Sequence, residues 1–172
     1  MSRIGELQCL IDKKAENVVQ LLVDKGKKIA CAESCTGGLI SAAITSVSGS
    51  SAVLDVSICT YANSAKMRYL GVPEVTLDEY GAVSEQTALA MADGIRKAAD
   101  SDIGISVTGI AGPTGATKGK PVGTVYVGIS TAEGCEARLV FTDPLSAGSE
   151  NAREYIRKST VLAALRWAAQ KI

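Results

Sequence analysis

Apolar positions come in two rhythms along the chain. Ile4, Leu7, Ile11, Ala15, Val18, Val19 and Leu22 recur at helical spacing, and Gly26 follows as a stop. Residues 28–32 then read as a short buried strand running into Glu33-Ser34-Cys35-Thr36-Gly37-Gly38, with a helical stretch from Leu39 to Thr45. The cluster Ser48-Gly49-Ser50-Ser51 breaks the pattern, residues 53–61 form a second strand, and Asn63 caps a short helix ending at Gly71 before Pro73. Ser84 reads as the N-cap of a helix through Ala99, followed by a strand over residues 103–107 and a long loop from Thr108 to Gly123. Residues 123–129 and 135–141, separated by Thr131-Ala132-Glu133-Gly134, predict an antiparallel hairpin. A last helix over residues 150–169 turns Ile156, Leu162, Leu165 and Ala169 inward. Helices interleaved with strands predict an α/β fold, a three-layer α/β/α sandwich with a mostly parallel mixed sheet and an antiparallel edge hairpin. The 172 residues suit one domain spanning 1–172, with no internal repeat or linker.

Composition narrows the chemistry. Aromatics make up only 4% against 47% hydrophobic residues, so the core is built from Ala, Val, Ile and Leu and base-stacking platforms are not expected. The 18 Lys and Arg balance the 18 Asp and Glu without long runs, which argues against a nucleic-acid face or a polybasic membrane anchor. Neither a membrane span nor a signal peptide is legible, so a cytoplasmic location is expected. The absence of His removes Ser-His and Cys-His pairs and every His-containing metal site, so neither a metal nor a cofactor is expected. The five cysteines are odd in number and scattered, and they read as reduced core thiols rather than a disulfide framework. Cys31 and Cys35 lack the Cys-x-x-Cys spacing of a redox pair.

In open α/β sheets ligands bind beyond the carboxyl ends of the strands. Three such ends here are polar or rich in glycine: Glu33 to Gly38, Thr60 to Lys66, and Thr108 to Gly115. The first offers hydroxyls and backbone N–H groups at a helix N-terminus, suited to a phosphate or an oxyanion. The third lets backbone approach a ligand closely, but it lacks the Gly-Lys-Ser/Thr ending of a phosphate-binding loop, which disfavours nucleoside triphosphate hydrolysis. Without His, a serine nucleophile needs another base, and Lys66 is the natural candidate: a lysine among apolar neighbours loses charge stabilisation, and its neutral amine can accept a hydroxyl proton. The same residues also read as plain structure, with Lys66 solvated on its helix, Ser34 and Ser51 as caps, Tyr61 as a core aromatic and Thr108 as a strand end. Glu33 reads better as a capping carboxylate than as a general base.

Several blocks in order, Ala32-Glu33-Ser34-Cys35-Thr36-Gly37-Gly38, Gly49-Ser50-Ser51, Thr60-Tyr61 through Lys66, Gly81-Ala82-Val83-Ser84, Gly109-Ile110-Ala111-Gly112-Pro113 and Lys120 to Val125, resemble the CinA C-terminal domain family over nearly the whole chain. The resemblance implies an α/β/α fold and nicotinamide-nucleotide amidase activity, hydrolysis of the carboxamide of nicotinamide mononucleotide to nicotinate mononucleotide and ammonia. It further implies the stand-alone form, without the N-terminal pyrophosphatase-like domain of larger CinA proteins.

Carried over by residue, the resemblance puts Ser34, Ser51, Tyr61, Lys66 and Thr108 in the active site. Ser51 is the expected nucleophile with Lys66 as its base, Tyr61 and Ser34 in the proton or oxyanion network, and Ser34 as the alternative nucleophile. Thr36, Gly37, Gly38, Thr108, Gly109 and Gly112 are expected around the substrate. The family's Gly-Asp-Arg block before the last helix reads Asn151-Ala152-Arg153 here, leaving Arg153 as the expected phosphate-binding charge. The expected partners are a small-molecule nucleotide and a second copy of the chain in a homodimer, with no nucleic acid and no membrane. The competing reading is a non-catalytic module holding a pyridine nucleotide or other phosphorylated ligand, in a family linked by name to competence and DNA damage.

Overall fold

The structure, a computed structural model, describes residues 2–143 and 151–172. Among the described residues six α-helices and five strands follow the order α1 (Arg3–Lys25), β1 (Ile29–Glu33), α2 (Leu39–Thr45), β2 (Leu54–Cys59), α3 (Asn63–Leu70), α4 (Glu74–Tyr80), α5 (Glu85–Ala98), β3 (Ile103–Gly109), β4 (Thr124–Thr131), β5 (Gly134–Phe141) and α6 (Ala152–Lys171). The strands form one sheet in the order β2-β1-β3-β4-β5. β1 runs parallel to both β2 and β3, whereas β4 is antiparallel to β3 and to β5. The expected hairpin is therefore present, and the parallel part of the sheet is the β2-β1-β3 trio.

Helices cover both faces. On one, α1, α2 and α6 pack Leu22, Ile40 and Leu165 onto Ile29, Cys31, Ile103 and Ile105. On the other, Leu70, Leu77, Met91 and Ile95 from α3, α4 and α5 cover Ala30 and Ala32. All five residues of β1 are buried, as befits a strand covered on both faces. The small residues on the α5 side have a steric reason: a Cβ on Gly104 would lie 2.2 Å from the Ala92 carbonyl oxygen, so the strand and the helix backbone meet almost directly. Truncating a fully buried Leu22 or Leu165 to Ala is expected to cost ~2–5 kcal/mol.

Local signals hold at most boundaries. Gly26 caps α1, its N–H reaching the Leu22 and Val23 carbonyls, and the Ser84 side chain accepts from the Thr87 N–H at the start of α5. Three expectations are corrected. Asn63 is the first residue of α3, and Ala62 is its N-cap without a side-chain bond. The seven-residue α4 was not foreseen. Of the five cysteines only Cys31 and Cys35 are buried, while Cys9, Cys59 and Cys135 are exposed. The start of the last helix expected at residue 150 lies outside the described residues. Among the described residues, no helix is long and apolar enough to cross a membrane.

Candidate active site

Strand order places the site. From β1 the chain passes to β2 on one side, and from β2 it returns over β1 to β3 on the other, so a crevice opens at the carboxyl ends of these strands. A cleft of about 290 Å³ sits there, lined from β1 by Ser34 and Cys35, from β2 and α3 by Tyr61 and Lys66, from β3 and its following loop by Thr108 to Gly112, and from α6 by Arg153.

Lys66 is 1% exposed. Its ammonium sits under the end of β2 and donates to the Thr60 carbonyl at 2.8 Å, the Tyr61 carbonyl at 3.2 Å and Ser34 Oγ at 3.4 Å. No carboxylate pairs with it among the described residues. Burial therefore pulls its pKa below the usual lysine value. An ammonium has three donors and a neutral amine two plus a lone pair. Deprotonated, Lys66 can keep both carbonyl bonds and turn its lone pair to Ser34 Oγ, the arrangement of a serine with an attached base.

The turn that carries Ser34 is held from two sides. Glu33, 1% exposed, accepts from the N–H groups of Gly38 (3.0 Å), Ile40 (3.1 Å) and Ser41 (2.9 Å) and from Ser41 Oγ (2.6 Å). It is the capping carboxylate expected of it, and a buried acid at a helix N-terminus is favourably placed. That occupancy corrects another expectation. The Gly38 amide is taken by Glu33 and the Gly37 amide by the Ser34 carbonyl, so the two glycines do not offer a free anion cradle, and none of Thr36, Gly37 and Gly38 lines the cleft. Thr36 is fully buried with its Oγ1 unpaired. On the opposite side Arg157 of α6 donates from Nε to the Cys35 carbonyl (3.1 Å) and from Nη2 to the Thr36 carbonyl (2.7 Å), a contact missed in the sequence.

Ser51 is not in this site. It is exposed in a short 3₁₀ turn, Ser50–Ala52, that precedes β2, while Lys66 follows β2. Six strand residues separate the two ends, about 20 Å at ~3.3 Å per residue. The structure thus separates the expected Ser51–Lys66 pair and brings Ser34 to Lys66 instead.

Tyr61 is 64% exposed at the cleft mouth rather than in the core, and its hydroxyl accepts from Arg153 Nη2 at 3.4 Å. Arg153 Nη1 also donates to the Gly112 carbonyl, which bridges the loops after β2 and β3. Thr108 lines the cleft, and its Oγ1 donates to the Ala82 carbonyl at 2.6 Å. Ala82 and Val83 themselves line the cleft, and only the Gly81-Ala82-Val83-Ser84 block in the sequence pointed to them. The buried thiols do not compete as nucleophiles: burial pushes Cys35 up to about 12 and holds Cys31 well above the ordinary thiol value. Among the described residues no carboxylate lines the cleft, whose charged side chains are Lys66 and Arg153. This favours an anionic ligand.

Known proteins that this chain is similar to share one family. The model of the CinA C-terminal domain matches residues 11–172. A relative from Acetivibrio thermocellus, named for competence-damage induction, is 51% identical over 163 residues, 94% of this chain but 38% of the relative. A CinA-like protein of Geobacter sulfurreducens is 46% identical over 90% of this chain and 36% of its own. The chain thus spans well under half the length of these curated relatives. The crystal structure of the competence/damage inducible protein CihA from Agrobacterium tumefaciens superposes with a TM-score of 0.86 at 39% identity, covering 92% of this chain and 93% of that one. A CinA superfamily protein from Klebsiella pneumoniae gives 0.86 at 29% identity, covering 94% and 96%. Sequence, fold and the matched length together lead to one conclusion: the chain belongs to the CinA C-terminal domain family.

Proposed function

We propose that the chain is an amidohydrolase that cleaves the carboxamide of nicotinamide mononucleotide through a Ser34–Lys66 pair. The observation that carries this reading is a buried lysine with no acidic partner among the described residues, facing a serine hydroxyl inside a cationic cleft. Simple anion binding has no use for a lysine buried against a serine hydroxyl, whereas proton abstraction does.

In the proposed reaction Ser34 Oγ attacks the carboxamide carbon as Lys66 takes the hydroxyl proton. The C–N bond then breaks as Lys66 returns that proton to the departing nitrogen, releasing ammonia and leaving the nicotinoyl ester on Ser34. Water, deprotonated by Lys66, attacks the ester; the C–Oγ bond breaks, Ser34 regains a proton from Lys66, and nicotinate mononucleotide departs. Arg153 receives the substrate phosphate by a charge-assisted bond. Thr108 and the glycine-containing loop after β3 line the far wall against the nucleotide.

The experiment is ammonia release from nicotinamide mononucleotide by the purified chain, with nicotinate mononucleotide measured in parallel and a chelator present in half the samples. Equal amounts of both products, unaffected by chelation, are expected. Tight binding of the nucleotide with no ammonia would favour the non-catalytic module instead.

A further inference from the structure

We infer that Arg157, which does not line the cleft, is a positioning residue that holds the Ser34 turn in register with Lys66. The inference rests on the reading of Ser34 and Lys66 as the reacting pair. Arg157 spends Nε and Nη2 on two consecutive carbonyls, those of Cys35 and Thr36, immediately after Ser34. A planar guanidinium donating to two adjacent carbonyls fixes their orientation as a single point charge does not. The turn is shaped for it: Gly37 has φ +60, and a Cβ there would lie 3.2 Å from Arg157 Nη2. Glu33 anchors the amides on the exit side of the same turn. The Ser34 turn is therefore gripped by a buried anion on its N–H side and by a cation on its C=O side.

The precision matters because the Nζ–Oγ distance of 3.4 Å is already slightly longer than the ~2.6–3.2 Å over which a base takes a proton, so the turn has little slack to lose. A slip of about 1 Å is the kind that costs ~100-fold in rate. Arg153, four residues earlier on α6, reaches the opposite wall at Gly112 and Tyr61. The two arginines divide the work: Arg153 lines the cleft and can meet substrate, whereas Arg157 acts only through Ser34. Arg157 also borders an outer groove of about 320 Å³ with Leu39, Arg153, Glu154 and Lys158, which gives a small cation a path to the same place.

The test uses the full chain as wild type, Arg157→Ala and Arg157→Lys. It combines steady-state ammonia release from nicotinamide mononucleotide with amide hydrogen exchange of the peptide covering Ser34 to Gly38. For Arg157→Ala the expected result is a kcat lower by about 10- to 100-fold at a KM within about twofold. Partial recovery with millimolar guanidinium and faster exchange confined to that peptide are expected with it. Arg157→Lys is expected to lie between, and it carries the same measurements if the alanine variant does not fold. Unchanged kcat, a loss confined to KM, or unchanged exchange overturns the inference. If the wild type releases no ammonia, the proposed function fails, and the exchange measurement alone then decides whether Arg157 orders the turn.

Discussion

Lys66 Nζ and Ser34 Oγ meet at 3.4 Å although they arrive from the ends of two different strands, β2 and β1. Burial lowers the pKa of Lys66, so its neutral, base-competent form is reached at lower pH than for a surface lysine. The rate of ammonia release is expected to rise with pH through that lowered pKa and then level off. A pH–kcat/KM profile checks this. An unchanged rate on the acidic limb would show that Lys66 does not act as the base.

A nucleophile and its base act as a unit. Ser34→Ala and Lys66→Met are each expected to lower kcat by at least ~100-fold, and the double variant to cost little more than either. Additive losses would mean that the two side chains serve separate steps.

Lys66 also ties stability to pH. Its folded pKa lies below the ordinary lysine value of 10.5, so between the two values the unfolded chain binds a proton that the folded chain does not, and stability rises with pH. Lys66→Met removes that dependence. Relative to wild type, the variant is expected to be at its most stable below the folded pKa and to lose that relative advantage as pH climbs toward 10.5. Urea unfolding of both proteins across this range gives the slope, and a difference that does not change with pH contradicts it.

Arg153 carries a charge in the cleft wall with no carboxylate partner among the described residues, and it bonds the Gly112 carbonyl and the Tyr61 hydroxyl. Arg153→Ala is expected to raise KM for nicotinamide mononucleotide with a smaller effect on kcat. The corresponding nucleoside, which lacks the phosphate, should lose much less. Equal losses on the two substrates would remove the phosphate from this position.

The layered architecture was legible because its signals are local. Ile11, Val18 and Leu22 on one helical stripe, and the unbroken burial of Ile29 to Glu33, require no knowledge of distant partners. α4 escaped because it buries only Leu77, which leaves no stripe to read. Ser51 misled for a geometric reason: a motif block adjoining a strand does not say which end of the sheet it occupies, and Gly49 to Ser51 fall at the end away from Lys66. The glycines after Ser34 suggested an anion cradle, but the Ser34 carbonyl takes the Gly37 amide and the buried Glu33 carboxylate takes that of Gly38. Arg157 was invisible because one arginine on a long helix acquires meaning only when α6 packs beside the β1 turn.

The most direct measurement compares Ser34→Ala with Ser51→Ala for ammonia release from nicotinamide mononucleotide at equal enzyme concentration. The geometry predicts that Ser51→Ala keeps wild-type turnover and that Ser34→Ala falls by at least ~100-fold. Near-full turnover by Ser34→Ala, or its abolition by Ser51→Ala, would contradict the account.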